Sequence, residues 1–240
     1  MSISRVIEAC RGGHLALSFY APGERSRAHS HAGAQISLVL TGGYHEEGAA
    51  GRLVAEDGVL TGKPAGFEHE NQFSDAGALI LSVNLTEAPF LTRHFAVPRP
   101  EGIDHIALRA AAWAGEPALE NLGAMRGLPR ADFHEQPRLE AARRRLLAEG
   151  QTRTATVART LGLHPVRFAR LFRDAYGRTP ADLRQAGRIG RAIDRIVRSG
   201  DGLAEIAAAE GFADQAHMTR QIRRATGYPP ARLRRLFRPD

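Results

Sequence analysis

The chain has 240 residues and a net charge of +7 at neutral pH, and 43% of its residues are hydrophobic. This length is enough for two domains with cores of their own, and the composition is that of a globular chain rather than a disordered one. No stretch approaches the roughly 20 apolar residues that a membrane span requires, so we expect no membrane partner.

The charge is divided unequally along the chain. Residues 1–130 contain 11 Lys and Arg against 14 Asp and Glu, which gives −3, whereas residues 131–240 contain 22 against 12, which gives +10. A basic half beside an acidic half indicates that the C-terminal half binds a polyanion, although a solvated arginine-rich surface would have the same charge. Lys63 is the only lysine, so contacts with phosphates and bases would fall mainly to arginine.

The expected compartment follows from the cysteine content and the first residues. The single cysteine, Cys10, excludes an intrachain disulfide and fits a reducing environment. Residues 1–6 lack the apolar segment of a secretory signal. We therefore expect a cytoplasmic protein.

Short apolar runs separated by turn residues dominate residues 1–95. We predict strands at residues 15–20, 35–40, 58–61 and 79–85, with turns at 21–24, 41–43 and 62–64. Many short strands at this spacing are typical of an all-β sandwich or barrel, which we assign to residues 1–95.

Two histidine spacings lie within this β-rich region. The sequence reads Gly23-x5-His29-x-His31-x3-Gln35-x6-Gly42 and then Gly58-x5-Pro64-x-Gly66-x2-His69. Residues 29, 31 and 35 have the same parity, so on one strand they would face one side. The two spacings resemble the cupin motifs, which build a small β-barrel and supply metal ligands. By this resemblance the candidate ligands are His29, His31, Gln35 and His69.

The region departs from the cupin pattern at two positions. Gln35 stands where the first motif has Glu, and Phe73 stands where the second has Asn. Three neutral imidazoles can hold a divalent transition metal such as Zn, Fe, Ni or Cu, but Gln removes a negative ligand. The alternative is a pocket that requires no cofactor and whose histidines hydrogen-bond within the barrel or to an effector. We assign no role to His45 or His94.

Residues 96–137 connect this region to the rest of the chain. Residues 96–102 indicate a break, residues 103–125 have helical periodicity interrupted near Gly115 and Pro117, and residues 126–137 have the composition of a linker. Everything after Arg138 is predicted to be helical.

Residues 154–238 contain the same pattern twice. Each copy has a short helix, a turn centred on Gly162 or Gly211, and a second helix. The offset between the copies is 49 residues before the turn and 50 after it, so that Arg170 corresponds to Arg220. This pattern predicts two helix-turn-helix units, the architecture of a major-groove reader.

The second helix of each copy has one buried and one exposed face. In the first copy Phe168, Leu171 and Phe172 form the buried stripe, and in the second copy Met218 and Ile222 face inward. The exposed residues, which we predict to contact DNA, are Val166, Arg167, Ala169, Arg170 and Arg173 in the first copy, and Gln215, Thr219, Arg220 and Arg223 in the second.

Residues 138–238 resemble the DNA-binding domain of the AraC/XylS transcription regulators. The resemblance rests on Ile206, Ala207, Gly211, Phe212, Asp214, Gln215, Arg220, Gly227, Pro230 and Arg234. It implies that Val166, Ala169 and Arg170 face bases from the first unit, and Gln215 and Arg220 from the second. Arginine reads guanine and glutamine reads adenine by bidentate hydrogen bonds, whereas the neighbouring arginines suit phosphates. The alternative for each arginine is a solvated or ion-paired side chain.

These patterns together predict a multidomain protein, with an N-terminal cupin-like β-barrel at 1–95, a helical connector at 96–137 and a C-terminal seven-helix domain at 138–238 that contains two helix-turn-helix units. We expect a sequence-specific transcription regulator rather than an enzyme, controlled by a small-molecule effector in the barrel. Its expected partners are double-stranded DNA, a second copy through residues 103–125, and RNA polymerase if it is an activator. The alternatives are a metal-dependent cupin enzyme with a DNA-binding tail and a non-specific architectural DNA binder.

Overall fold

The computed structural model describes residues 2–48, 51–98, 102–124, 137–148, 152–176 and 178–238. Within these ranges the chain forms eight strands followed by nine helices. None of the described helices has the length and apolar character of a membrane span. The order of elements confirms the predicted fold class of a β region followed by a helical domain.

The strands form one antiparallel sheet, which we call the β-domain. They are β1 (Ile3–Cys10), β2 (Gly13–Tyr20), β3 (Arg25–His29), β4 (Ala34–Gly48), β5 (Gly51–Glu56), β6 (Val59–Lys63), β7 (His69–Leu85) and β8 (Phe95–Pro98). Their order is β1-β2-β7-β4-β6-β8, with β3 paired to β7 and β5 paired to β4. The long strands β4 and β7 pair with each other over most of their length, so they form the centre of the sheet.

The predicted turn at residues 41–43 is wrong, because Gly42 and Gly43 lie inside β4. The register with β7 shifts on both sides of this pair, so the glycines bend the strand as a bulge instead of ending it. Gly42 has a φ of 78°, and a Cβ there would lie 2.0 Å from the carbonyl oxygen of Gly77. Glycine is therefore required by close packing at a position where the sequence pattern indicated a loop.

The predicted break at residues 96–102 is also wrong in its first half. Phe95–Pro98 forms β8, which pairs with β6 at the edge of the sheet. Proline is tolerated at such an edge because the position needs no further ladder hydrogen bond.

The connector contains the two helices that the sequence predicted, α1 (His105–Ala114) and α2 (Glu116–Ala124). Asp104 caps α1 by accepting hydrogen bonds from the backbone N–H groups of Ile106 and Ala107. Gly115, with a φ of 94°, separates the two helices. Most of the predicted linker at residues 126–137 lies outside the described residues.

The C-terminal domain has the predicted seven helices. They are α3 (Pro137–Ala148), α4 (Thr154–Thr160), α5 (Pro165–Tyr176), α6 (Pro180–Arg198), α7 (Leu203–Ala209), α8 (Gln215–Thr226) and α9 (Pro230–Phe237). We call α4 and α5 the first unit, and α7 and α8 the second unit. Gly150, which the sequence predicts to end α3, lies outside the described residues.

The two units repeat each other in their backbone hydrogen bonds. In the first turn the N–H of Leu163 donates to the carbonyl of Ala158 at 3.0 Å, and in the second the N–H of Phe212 donates to that of Ala207 at 2.9 Å. The turn glycines Gly162 and Gly211 have φ values of 68° and 74°. This left-handed conformation favours glycine, so the duplicated sequence forms a duplicated turn.

The helix caps agree with the sequence in part. The sequence Thr179-Pro-Ala-Asp182 predicts a capping box at the start of α6, and these two side chains form it. Asp214 caps α8 by accepting from the N–H of His217. For α4 the sequence suggests Thr154 or Thr156 as the cap, but the N-cap position is Arg153 and no side chain caps it.

An equivalent arginine closes each unit. Arg184 in α6 donates to the carbonyl of Thr152 at 3.1 Å, just before α4 begins. Arg234 in α9, which is 50 positions later, donates to the carbonyls of Asp201 at 2.7 Å and Ile196 at 3.3 Å, just before α7 begins. Each arginine therefore ties the helix that follows a unit to the start of that unit.

The two units belong to different hydrophobic cores. Phe168 and Phe172 of the first unit pack in a core built from α3 to α6, to which the β-domain contributes Ala76. Met218 and Ile222 of the second unit belong to a core that continues into the β-domain and the connector helices. The second unit is thus fused to the β-domain, whereas the first is built largely around its own core.

Polar contacts attach the segments on either side of the first unit to the β-domain. Arg178, just before α6, makes a bidentate ion pair with Asp57, with 2.7 Å between Nη2 and Oδ2. Arg143 of α3 pairs with Glu56 of β5. Both arginine side chains are buried, so these ion pairs form with little water around them. Helix α6 passes close beside them, because Gly190 lies against Ala76 of β7.

We predict that Arg184 and Arg234 each stabilise the fold in proportion to the number of backbone carbonyls that they bind. Arg234→Ala should lower the free energy of unfolding by about 1–2 kcal/mol, since it removes charged donors from two carbonyls, and Arg184→Ala should lower it by about 1 kcal/mol. Chemical denaturation of both variants would measure this, with the exposed Arg235→Ala as the matched control. Equal stability of all three variants would contradict the prediction.

Candidate DNA-binding face and ligand pocket

Helix α5 is positioned by the core of the first unit. Phe168 and Phe172 are fully buried, and this orients the opposite face of the helix toward solvent. On that face Val166 is 71% exposed, an unusual degree for a large apolar side chain. The predicted contact residues Arg167, Arg170 and Arg173 are also exposed, whereas Ala169 is half-buried.

Helix α8 has the same arrangement in the second unit. Met218 and Ile222 are fully buried, in agreement with the predicted inward face. The residues predicted to contact DNA from this helix are on its other side: Gln215, Arg220 and Arg223 are exposed, and Thr219 is half-buried. The two second helices therefore present equivalent polar faces on two equivalent units.

Arginines on these faces differ from the arginines around α6. Within the described part of the chain, Arg170 and Arg220 make no hydrogen bond or ion pair. In contrast, Arg191 pairs with Glu210 at 3.0 Å and Arg195 with Asp201 at 2.5 Å. The guanidinium groups of the exposed faces are free to bind phosphates or bases, whereas those of α6 hold the fold together.

The structure brings together all three histidines that the cupin-like spacing predicted as ligands. The ligand nitrogens of His29, His31 and His69 all lie within 4.8 Å of one another. His29 at the end of β3 is directly opposite His69 at the start of β7, and their ring centroids are 4.4 Å apart. This is the distance range in which three imidazoles can share one cation.

The prediction that residues 29, 31 and 35 lie on one strand is wrong. His29 ends β3, His31 lies in a bend, and Gln35 belongs to β4. The chain bends at Gly33, where a Cβ would lie 2.3 Å from the carbonyl oxygen of Leu85. The histidines nevertheless converge, because the bend and the pairing of β3 with β7 replace the alternation of a single strand.

Hydrogen bonds hold His29 and His69 in the tautomer that can bind a cation. Nδ1 of His29 donates to the carbonyl of Arg27 at 2.8 Å, and Nδ1 of His69 donates to that of Phe67 at 3.1 Å. A carbonyl can only accept, so the proton is on Nδ1 and the lone pair is on Nε2. Burial lowers the pKa of His69 to about 4 and also lowers that of His31. These residues fit a divalent transition metal, which needs neutral imidazoles.

The histidines line one end of a small pocket that opens to solvent. Gln35 lines the same pocket, and its amide nitrogen donates to Oδ1 of Asn84 at 2.9 Å. Phe73, which replaces the Asn of the cupin pattern, is stacked on Tyr20 with ring centroids 3.9 Å apart and is tilted against Tyr44. The pocket therefore has an aromatic wall, and polar side chains line the rest of it: Ser37, Lys63, Asn71 and Ser82.

Sequence reasoning missed a buried charge cluster beside this pocket. Nζ of Lys63 lies 2.5 Å from Oε2 of Glu46, and Nε2 of His94 lies 2.9 Å from Oε1 of the same carboxylate. The Glu46 side chain is only 1% exposed. The only signal that could have found the cluster is that Lys63 is the sole lysine of an arginine-rich chain.

Comparison with known proteins identifies the helical domain. Residues 157–236 match the family model described as "Helix-turn-helix domain". No curated protein is similar enough in sequence to count as a match.

Three solved structures illustrate the similarity. A transcriptional regulator with an AraC-type DNA-binding domain from Chromobacterium violaceum is 23% identical over 44% of this chain and 96% of its own, with a TM-score of 0.41. A cupin superfamily protein from Desulfitobacterium hafniense is 20% identical over 36% of this chain and 79% of its own, with a TM-score of 0.31. ToxT from Vibrio cholerae is 8% identical over 99% of this chain and 98% of its own, with a TM-score of 0.44.

The family match and the two repeated units define a helix-turn-helix domain. Within it one long helix, α6, joins the two units. The prediction of two helix-turn-helix units in the C-terminal half is thereby confirmed.

We predict that the buried carboxylate beside the pocket is essential for stability. Glu46→Gln leaves Lys63 buried without a counter-charge, which should lower the free energy of unfolding by about 3–5 kcal/mol at neutral pH. Burial alone would raise the pKa of Glu46, but the hydrogen bond from His94 and the charge of Lys63 lower it below 4.5. The stabilisation should therefore be complete above about pH 4.5 and be lost as the pH falls through the lowered pKa.

Denaturation of the wild type and Glu46→Gln between pH 7 and pH 3 would test this. The exposed neighbour Glu47→Gln serves as the control, because it removes the same charge from solvent. The difference in the free energy of unfolding between Glu46→Gln and the wild type should become smaller in acid. If it does not, the charge of Glu46 is not what stabilises the fold.

Proposed function

We propose that the chain is a sequence-specific transcription regulator whose binding to DNA is controlled by a small ligand in the β-domain pocket. The observation that carries this proposal is the pair of equivalent exposed faces on α5 and α8, each with an arginine that has no partner among the described residues. Two equivalent units can each contact DNA through the second helix, and Arg170 and Arg220 occupy the same exposed place in each.

We assign base contact to the residues near the centre of each face. Arg170 and Arg220 suit guanine, Gln215 suits adenine, and the exposed Val166 and the half-buried Ala169 offer an apolar surface to a thymine methyl group. Arg167, Arg173, Arg223 and Thr219 are assigned to phosphates, which position the protein without selecting sequence. Contact with RNA polymerase would follow if the protein is an activator.

Control by a ligand is supported by the position of the pocket. Tyr44 lines the histidine pocket and also lines the cleft between the β-domain and the first unit, into which Arg143 and Arg178 project. A ligand that favours one arrangement of Tyr44 can therefore affect the contact that holds the first unit. It acts only to the extent that it binds the two arrangements with different affinity.

We propose that the three histidines bind a divalent transition metal as part of this control. His29, His31 and His69 would hold it, and the metal would supply an electrophilic centre with open positions for an oxygen ligand. Gln35 would remain on the wall of the pocket, because its amide is bonded to Asn84.

We also propose that a second copy binds along α1. Ile106 and Trp113 are 65% and 55% exposed, and they are seven residues apart, which places them on one face of the helix. Large apolar side chains at this spacing are typical of a helix that packs against a partner.

The regulator hypothesis is tested by binding of the purified protein to sheared genomic DNA at physiological salt. We expect a few sharp peaks that are lost in Arg170→Ala and in Arg220→Ala, since each base contact contributes roughly 1–3 kcal/mol of discrimination. The control is Arg25→Ala, which removes an exposed positive charge from the β-domain. Diffuse binding that all three variants weaken equally would reject sequence-specific reading.

The metal hypothesis predicts that one equivalent of Zn²⁺ binds to the chain. His69→Ala should weaken binding by roughly 100-fold or more, because even loss of a group that orients a ligand costs roughly 10–100-fold. Calorimetry with His164→Ala, an exposed histidine of the first unit, provides the control. Equal zinc affinity of both variants would exclude the triad as the metal site.

The dimer hypothesis predicts that Ile106→Asp or Trp113→Asp dissociates the protein into monomers, because a buried unpaired carboxylate opposes association. Sedimentation velocity would measure the change, with Ala231→Asp on the exposed face of α9 as the control. A wild type that is monomeric at micromolar concentration would contradict the proposal directly.

A further inference from the structure

Lys63 presents its ammonium group to the histidine pocket. Its side chain lies on β6 at the wall of the pocket, and the residue is only 6% exposed. Among the described residues, its ammonium contacts Oε2 of Glu46 and lies 5.6 Å from the centroid of the Tyr44 ring. An ammonium has three N–H donors, so those that Glu46 does not engage can bind a ligand oxygen in the pocket.

Asn71 offers an acceptor in the same pocket. Its Oδ1 is buried and accepts no hydrogen bond from the described residues. A molecule that satisfies both side chains must have an acceptor for Lys63 and an N–H or O–H donor, or a bound water, for Asn71. The pocket therefore selects a polar occupant, in spite of its aromatic wall.

A metal cation bound to the three histidines would make the pocket favourable for an anionic ligand. The charge of Lys63 is already balanced by Glu46, and the groups at the histidine end are neutral imidazoles together with the amide of Gln35. A divalent metal on the triad would therefore leave a net charge of about +2 without a counter-charge from the protein. The missing carboxylate of the cupin-like pattern, replaced here by Gln35, leaves that role to the ligand.

We propose that the pocket binds a small carboxylate, with one carboxylate oxygen accepting from Nζ of Lys63 and a second oxygen of the molecule directed to the histidine end. This proposal rests on the proposed function, because it concerns the same pocket. A carboxylate suits the site better than a phosphate, since phosphate sites usually gather several donors or an arginine fork, and no arginine lines this pocket among the described residues. The space that the centre of a water-sized sphere can occupy in the pocket is about 40 Å³, which limits a fully buried ligand to a few heavy atoms.

The sole lysine makes the proposal directly testable in the wild-type protein. Lysine labelled with ¹³C at Cε gives a single side-chain signal, because Lys63 is the only lysine of the chain. Oxalate, acetate and inorganic phosphate would each be titrated with the zinc-loaded and the zinc-free protein while this signal is recorded. We expect oxalate to shift the lysine signal saturably, acetate to do so more weakly, and phosphate to leave it in place.

A variant pair supports the same conclusion by calorimetry. Lys63→Met combined with Glu46→Gln removes both charges of the buried pair, so that no unpaired charge remains in the core. We expect oxalate to bind this variant roughly tenfold or more weakly, since a hydrogen bond to a charged group is worth about 1.5–3 kcal/mol. Arg25→Met, which removes an exposed cation of β3, should bind oxalate like the wild type.

The outcomes separate this proposal from the proposed function. A lysine signal that oxalate shifts in zinc-free protein supports the carboxylate site, even if zinc fails to bind and the metal hypothesis is lost. Loss of sequence-specific DNA binding would reject the regulator and leave the carboxylate site unaffected. A lysine signal unmoved by oxalate, or moved equally by phosphate, overturns the proposal.

Discussion

The packing of α6 is the constraint on which the rest of the structure depends. Its C-terminal half joins the second unit to the core of the β-domain, through Ile189, Ile193 and Ile196. Its N-terminal end contributes Leu183 to the separate core of the first unit. One helix therefore carries a reading unit at each end, but only one of the two is continuous with the β-domain. The first unit is attached to the β-domain through Ala76 and through the ion pairs that Arg143 and Arg178 make on either side of it in the chain.

Arginine performs two different tasks in this protein. Arg191 and Arg195 of α6 are paired with carboxylates, and Arg184 and Arg234 are bound to backbone carbonyls. On the exposed faces of α5 and α8 the guanidinium groups are solvated. This division explains how a chain with a single lysine can be strongly basic and still be well packed, because the planar guanidinium satisfies several acceptors within the fold. It also separates residues whose loss lowers stability from those whose loss affects DNA binding.

The pocket combines neutral imidazoles with a charge pair that is balanced internally. Burial keeps His69 uncharged, whereas Glu46 remains ionised because Lys63 and His94 bind it. Tyr44 separates this pocket from the cleft that contains Arg143 and Arg178, so the chemistry of the β-domain and the attachment of the first unit share one side chain. A ligand in the pocket would therefore contact a side chain that also lines the cleft beside the first unit.

The sequence alone determined the repeated helix-turn-helix pattern, the exposed faces of α5 and α8, and the three histidines, since these depend on local periodicity and turn chemistry. It did not reveal that Gly42 and Gly43 continue a strand, that His29, His31 and Gln35 lie on different segments, or that Glu46 and Lys63 are buried together. Those features depend on contacts between residues far apart in the chain. The division of the two units between two cores was likewise decided only by tertiary structure, because the repeats are alike locally and differ only in what packs against them.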